Sequence, residues 1–314
     1  MLIFAARRLL ATIPTLLVVT LLVFSLVRLL PGDPARLQLG EEATPQALTE
    51  LRHQMGLDRP VAVQYASWLG DLSRLNLGRS LQDHTSVAGL IAQKLPTTFE
   101  LSLLSLLVAV ALALPAGIVS ALRPGSLTDR LVTLLALSGI SLPSFFLGIL
   151  LVYAFSVSLA WIPASGYVGL NENAGLNLKL MILPAVTLGV GSAAVLTRFL
   201  RSSLLEVLSQ DYVRTARAKG VVGRLVIMKH ALRNALIPVI TVLGLQLGGL
   251  LGGAVVTEQI FSIPGFGRLL VDAVFTRDLP VIQGMVLTSA ALVFLVSFLI
   301  DLAYGAIDPR VRYG

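Results

Sequence analysis

The residues best placed to do chemistry lie in the polar segment 198–238 of a chain that is 55% hydrophobic. Asp211 can cap the start of a short helix there, and Gly220 can supply the left-handed residue that ends it. The helix body expected between them, 212–219, is about 12 Å long. Because so short a helix is marginal on its own, we expect a second surface to hold it.

The expected helix has a basic side and a small apolar side. The side chains that keep it out of hydrocarbon are Arg214, Arg217 and Lys219. The apolar side consists of Tyr212, Val213 and Ala216. The segment could dock into another protein, or it could be an ordinary basic loop that touches anionic lipid headgroups. The composition of the segment leaves both interpretations open.

Catalytic patterns are missing from the sequence. It contains no G-x-x-x-x-G-K-[ST] phosphate loop, no H-E-x-x-H zinc pattern and no G-x-S-x-G nucleophile elbow. The absence of cysteine excludes a thiolate nucleophile and a Cys-ligated metal. The histidines His53, His84 and His230 all lie in polar segments. We therefore predict that the chain is not an enzyme and holds neither a cofactor nor a metal.

The elements that must position the polar segment are apolar helices. Of the 314 residues, 55% are hydrophobic and 13% are charged, about half the charged share of a soluble protein. The uncharged windows long enough to span a bilayer are 9–27, 101–122, 131–171, 180–197, 234–257 and 279–300. The third is too long for one span, but Pro163 and the Gly/Asn-rich run after it predict a loop. We therefore predict one helix there and six transmembrane helices in an all-α protein.

Charge predicts the topology. With six spans, the segments on the side of the N-terminus carry 14 basic and 4 acidic residues. By the positive-inside rule, both termini should be cytoplasmic. Because the basic residues alternate with apolar spans, the pI of about 10.1 does not indicate a nucleic-acid partner. A lone acid near the end of the last span, Asp301, argues against an ion-coupled carrier.

Two further features belong to the predicted scaffold. In the outer segment 31–95, Thr44 and Pro45 form a helix start and Gly56 a helix stop, and apolar residues recur at helical spacing between and after them. The short helices expected there form a cap, either as a simple cover or as a docking surface.

The fifth span has glycines at four-residue spacing, which predict close helix contact, and a polar residue beside them. The candidate packing or pathway residues are Gly244, Gln246, Gly248, Gly249, Gly252, Gly253 and Glu258.

The short helix also carries a family resemblance. Its run is Asp211, Tyr212, Val213, Arg214, Thr215, Ala216, Arg217, Ala218, Lys219 and Gly220. This run resembles the cytoplasmic signature loop of ABC importer permeases of the bacterial dipeptide, oligopeptide and nickel family. Further runs that resemble the family, in order, are 31–34, 230–238, 264–267, 277–283 and 308–314. The general loop reads E-A-A-x-x-x-G, and here Arg214 and Thr215 stand where Glu and Ala would.

The resemblance implies an architecture and a set of partners. The fold would be that of a type I ABC importer permease, with 1–30 as the N-terminus and first span, 31–95 as an outer helical cap between helices 1 and 2, and 96–314 as the core. The core would contain a coupling loop, 201–233, and an outer scoop, 258–279. The run 211–220 would be a coupling helix that docks on one of two separate ATPase subunits, which bind ATP and Mg. A second, homologous permease and an extracytoplasmic binding protein would complete the assembly.

The implied function is import of short peptides across the bacterial cytoplasmic membrane. Within the family, nickel, a metal chelate or glutathione is the alternative substrate. From other classes, an ATP-independent secondary carrier and a membrane signalling scaffold remain open.

Overall fold

The computed structural model describes residues 2–29, 33–40 and 43–307. Its described residues form helices, turns and one isolated antiparallel bridge between Arg79 and Ser86. Residues 31–32 and the run 308–314, which contributed to the family resemblance, lie outside the described residues.

The helices follow the predicted alternation of long apolar and short polar elements. In chain order they are α1 Leu2–Leu29, α2 Pro34–Leu39, α3 Pro45–Gln54, α4 Val61–Ser73, α5 Val87–Leu122, α6 Leu127–Ser141, α7 Ser144–Leu151, α8 Ala174–Leu208, α9 Asp211–Ala218, α10 Gly223–Leu225, α11 Leu232–Gly253, α12 Val255–Ile260, α13 Phe266–Phe275 and α14 Leu279–Ile307. Two π-helical stretches, Val152–Ser158 and Val226–Ala231, continue α7 and join α10 to α11.

Four stretches are long and apolar enough to cross a membrane: α5, α8, Gly223–Gly252 and the part of α14 from Leu279 to Leu302. A bent pair, α6 with α7 and its π-helical extension, makes a fifth if it is counted as one span. The remaining predicted span corresponds to α1, whose apolar stretch, Leu10–Leu26, is shorter. The described helices thus confirm the all-helical membrane fold.

The third predicted span is not one helix, and that prediction is wrong in detail. The chain bends by 103° between α6 and α7. Pro143 causes the break, because a proline disfavours helical backbone in the residue before it and donates no hydrogen bond. Leu142 accordingly adopts extended dihedral angles of −76° and 124°. At 1.5 Å per residue, the 15 residues of α6 reach only about 22 Å.

The chain divides into two compact units, the first of which comprises Met1–Thr98 and Pro264–Phe298. The core of this first unit contains Val87, Ile91, Phe266 and Met285. Thr44 caps α3 as predicted, with its Oγ1 accepting from the backbone N–H of Ala47 at 3.3 Å. Asp278, the residue before α14, connects a loop to the start of this helix. Its buried carboxylate accepts from Ser80 Oγ at 2.5 Å and from the backbone N–H of Leu81 at 3.2 Å.

The second unit comprises Phe99–Ile263 and Leu299–Gly314. Helix α8 is its centre, because 72% of its apolar window is buried, against 33%, 28% and 11% in the windows of the other three long spans. Gly189 of α8 allows α5 to approach closely: a Cβ there would lie 2.8 Å from the carbonyl oxygen of Ser105. The predicted division of the chain into 1–30, 31–95 and 96–314 stays a prediction.

Candidate functional site

Helix α9 contains the predicted site residues, and its first turn differs from the prediction. Asp211 is the first helical residue, whereas Gln210 is the N-cap and makes no side-chain cap hydrogen bond. Gln210 takes the cap position because its backbone is extended while its carbonyl already accepts from Val213 and Arg214 at 3.1 and 3.2 Å. The carboxylate of Asp211 instead lies in the first turn, where it interacts favourably with the helix dipole.

The end of α9 agrees with the prediction. Gly220 has a φ of +75°, the left-handed conformation expected of a helix stop. The N–H of Val221 donates to the carbonyl of Ala216 at 3.3 Å, and the N–H of Gly220 donates to the carbonyl of Arg217 at 3.0 Å. These two bonds form a Schellman motif, which satisfies the last carbonyls of the helix. The direction of the chain after α9 is therefore fixed by Gly220.

The apolar side of α9 is buried within the chain. Val213 and Ala216 pack with Val226, and with the partly buried Val207 and Leu208. Val213 is completely buried. These contacts explain how an eight-residue helix is stable although it would be marginal alone. They attach α9 to the end of α8 and to the segment that leads into α11.

Tyr212, which the sequence predicts on the same apolar side, is not buried with Val213 and Ala216. Its side chain is 43% exposed. Its hydroxyl accepts from Asn234 Nδ2 at 2.8 Å and lies 3.4 Å from the carbonyl oxygen of His230, to which it donates. The hydroxyl explains the difference, because Tyr212 can reach polar partners at the surface while Val213 fills the core. Tyr212 thus fastens α9 to α11 by hydrogen bonds.

The opposite side of α9 is exposed and polar. Its exposed residues are Asp211, Arg214, Thr215, Arg217, Ala218, Lys219 and Gly220. The side chains of Arg214 and Asp211 are 71% and 97% exposed and form an i,i+3 ion pair at 3.5 Å. An exposed pair of this kind contributes little to stability, so both side chains can rearrange around a partner. The geometry provides a rigidly mounted helix with a free charged surface.

An ion-pair cluster that the sequence analysis did not predict joins three helices of the same unit. Asp129 of α6 is buried and accepts from Arg201 of α8 through Nε at 2.7 Å and through Nη2 at 2.9 Å. The same carboxylate accepts from Ser120 Oγ of α5 at 2.5 Å and from the N–H of Gly125 at 2.8 Å. We call these four residues the Asp129 cluster. The only sequence signal for this cluster is that Asp129 is one of the 4 acidic residues among 14 basic ones in the segments predicted to be cytoplasmic.

The candidate residues of the fifth span do not share one environment. A Cβ on Gly244 would lie 2.4 Å from Ile300 Cδ1, so this glycine allows α11 and α14 to approach closely. Gly248 is buried, whereas Gly249 and Gly252 are exposed and a Cβ on either would meet no atom within 4 Å. Gln246 is half-buried, and Gly253 ends α11. Glu258 is fully buried in α12.

Solved structures share the fold of this chain. One chain of the methionine ABC transporter MetNI, in an inward-facing conformation, matches with a TM-score of 0.58 and 19% sequence identity, over 70% of this chain and 96% of that chain. A second crystal form of MetNI matches with a TM-score of 0.57 and 19% identity, over 70% of this chain and 97% of that one. The chain therefore shares its fold with a chain of an ABC transporter.

The chain belongs to the family of binding-protein-dependent transport system inner membrane components, whose model matches residues 113–313. The N-terminal model of the same kind of membrane component matches residues 1–102. The protein is thus a multi-pass permease of the inner membrane.

Curated relatives match along the whole chain. The di/tripeptide transport system permease protein DppB of Pseudomonas aeruginosa is 46% identical, with 100% of this chain and 99% of the relative covered. The glutathione transport system permease protein GsiC of Escherichia coli O6:H1 is 45% identical, with full coverage of both. GsiC of Pectobacterium atrosepticum is 47% identical over 98% of each chain.

Proposed function

We propose that this chain is the non-catalytic permease subunit of an ATP-driven importer and that α9 is the helix through which a separate ATPase moves it. The observation that carries this proposal is the orientation of α9, with its apolar residues buried in its own chain and its charged residues exposed. A membrane-surface helix presents its apolar face to the lipid. The inward position of Val213 and Ala216 therefore favours docking on a protein.

The contacts of α9 provide a route by which a displacement of this helix can reach the transmembrane helices. Because α9 packs on the end of α8 and is hydrogen-bonded to α11 through Tyr212 and Asn234, a displacement of α9 acts on both spans. The Asp129 cluster carries the displacement of α8 to α5 and α6 through Arg201 and Ser120. Rigid elements joined by such contacts transmit a shift if they have two discrete arrangements. In this proposal the arrangements are the outward-open and inward-open states.

The rest of the proposed assembly lies outside this chain. Two ATPase subunits bind ATP and Mg and supply the force, and a second, homologous permease forms the other wall of the pathway. A binding protein delivers the substrate to the outer surface. The basic residues of α9 and of the segment after it lie in the cytoplasm under this proposal, as do both chain termini.

For the substrate we propose short peptides of two or three residues, with glutathione as a member of this class. The names of the relatives support this range, because DppB is a di/tripeptide permease and GsiC a glutathione permease at nearly equal identity. Both kinds of substrate are short, flexible molecules with amide groups and terminal charges. Both are small zwitterionic peptides.

Uptake measurements test the substrate class. We expect cells that depend on this transporter to accumulate radiolabelled di- or tripeptide, and an excess of unlabelled peptide to suppress that uptake at least tenfold. Unlabelled glutathione as competitor shows whether glutathione belongs to the transported substrates, since it should suppress peptide uptake only if the pathway accepts it. Cells that lack this chain provide the control. Accumulation of nickel that no peptide reduces, with no peptide uptake, would contradict the proposal.

A further inference from the structure

Helix α4 of the predicted outer cap lies against the apolar part of α1. The ring of Tyr65 packs edge-on against the ring of Phe24 at a centroid distance of 5.1 Å, and the ring of Trp68 lies 5.6 Å from the same ring. The hydroxyl of Tyr65 is 2.9 Å from Thr20 Oγ1, and it donates to the carbonyl oxygen of Leu17 at 3.5 Å. Aromatic and polar contacts therefore hold α4 beside α1.

These contacts extend well below the end of the apolar stretch. Thr20 and Leu17 both lie within the apolar stretch Leu10–Leu26 of α1. Thr20 is six residues from Leu26, and six residues of helix correspond to about 9 Å. Arg28 follows the stretch, and its guanidinium lies over the Phe24 ring, 3.9 Å from the centroid. The same guanidinium donates to Gln64, so it lies level with Phe24, and because Arg residues near the ends of spans extend towards the interface, this level marks the membrane surface. The Tyr65 hydroxyl reaches Thr20, four residues or about 6 Å deeper along α1.

A tyrosine at that depth has to pair its hydroxyl, since an unpaired polar group in hydrocarbon is costly. The contact between Tyr65 and Thr20 meets this requirement. The pairing is what a helix inserted in lipid needs, whereas a helix in water would satisfy Tyr65 with solvent.

The free side of α4 is uncharged and largely apolar. From Val61 to Gly70 the helix has no charged residue. Its exposed residues include Val61 at 59%, Val63 at 45%, Ala62 and Ala66. Charged residues occur at its two ends, with Arg59 before it and Asp71 in its last turn. Such a distribution is typical of a helix whose ends lie in the headgroup region and whose middle lies in the acyl region.

We infer that α4 is an interfacial helix inserted into the lipid leaflet at the C-terminal end of α1, and that its exposed valine and alanine residues contact acyl chains. This surface continues the exposed apolar surface of α1, where Leu21, Leu22 and Leu26 are all more than half exposed. The occupant of the surface is phospholipid. The segment predicted as an outer helical cap has a membrane-inserted part under this inference, which does not depend on the transported substrate.

Spin labelling tests the inference, because the chain contains no cysteine and Val63→Cys gives it a single thiol. The full-length chain would be labelled with a nitroxide in the complete transporter, with partner subunits free of cysteine, and reconstituted in phospholipid vesicles. We expect the nitroxide to collide with oxygen at least fivefold more often than with a water-soluble nickel chelate. Ala66→Cys, at a second exposed position of α4, should give the same result.

Two control positions calibrate the measurement. Leu21→Cys, on the exposed side of α1, should show the same preference for oxygen, and Gln46→Cys, on the exposed surface of α3, should show the opposite preference. A nickel-accessible label at Val63 would overturn the inference in favour of water. A label that neither reagent reaches would overturn it in favour of coverage by a partner protein.

Discussion

Replacing Gly220 with valine should uncouple ATP hydrolysis from transport while leaving the transporter assembled. Gly220 has a φ of +75°, a conformation that costs a non-glycine residue about 1–2 kcal/mol, and β-branched residues resist it most. A Cβ at this position would meet no atom within 4 Å. The effect is therefore purely conformational: the Schellman end of α9 opens, and the helix no longer presents its charged surface at a fixed angle.

The measurement compares substrate uptake with ATP hydrolysis in the same reconstituted transporter. We expect the uptake per ATP hydrolysed to fall about tenfold, which corresponds to about 1.4 kcal/mol. Gly223→Val is the matched control, because Gly223 also has open space around it but no positive φ. Normal coupling in the Gly220 variant would show that the end of α9 does not transmit force.

Replacing Asp129 with alanine should destabilise the membrane domain more than any exchange on the exposed side of α9. The variant leaves Arg201 without its bidentate carboxylate, and Ser120 Oγ and the N–H of Gly125 without an acceptor. The Arg201 side chain is 32% exposed, so the charge that remains keeps only part of the desolvation cost of a buried ion, but breaking the pair from one side is still unfavourable. We expect a loss of several degrees in melting temperature and a reduced yield of folded protein.

Two further variants separate charge from hydrogen bonding in the Asp129 cluster. Ser120 Oγ and the N–H of Gly125 donate to different oxygens of Asp129, so Asp129→Asn keeps an acceptor for only one of them. It should still be less damaging than Asp129→Ala. Combining Asp129→Ala with Arg201→Met removes the uncompensated charge and should recover part of the lost stability. Thermal unfolding of the purified variants in one detergent measures both effects. Equal stability of Asp129→Ala and the unmodified chain would show that the cluster does not join the helices.

Local signals in the sequence predicted much of the fold. Uncharged windows located the long helices, because hydrocarbon excludes charge over a whole span. Thr44 and Gly220 revealed a helix start and a helix stop through backbone chemistry that needs no tertiary information. The bend at Leu142 and Pro143 could have been predicted from the same kind of signal. The loop after Pro163 already accounts for the length of the uncharged window 131–171, so that length gives no sign of the bend.

Contacts between distant residues could not be predicted in this way. Asp129 and Arg201 are 72 residues apart, and nothing in either local pattern indicates the other. Tyr65 and Thr20 are 45 residues apart, so the position of α4 beside α1 became visible only in the fold. Tyr212 is a further residue whose environment the sequence does not predict, because a tyrosine can lie on a buried face or form a hydrogen bond at the surface. Only the position of Asn234 in the fold decides between the two.

Cross-linking from α9 tests the central claim most directly. Arg217 is exposed, and Arg217→Cys gives the otherwise cysteine-free chain one thiol on the charged surface of this helix. In membranes that contain the working transporter, a photoactivatable cross-linker on this thiol should join the chain to a nucleotide-hydrolysing subunit, and the same probe at Gln46→Cys should not. A probe on α9 that labels only phospholipid, while uptake proceeds normally, would contradict the account.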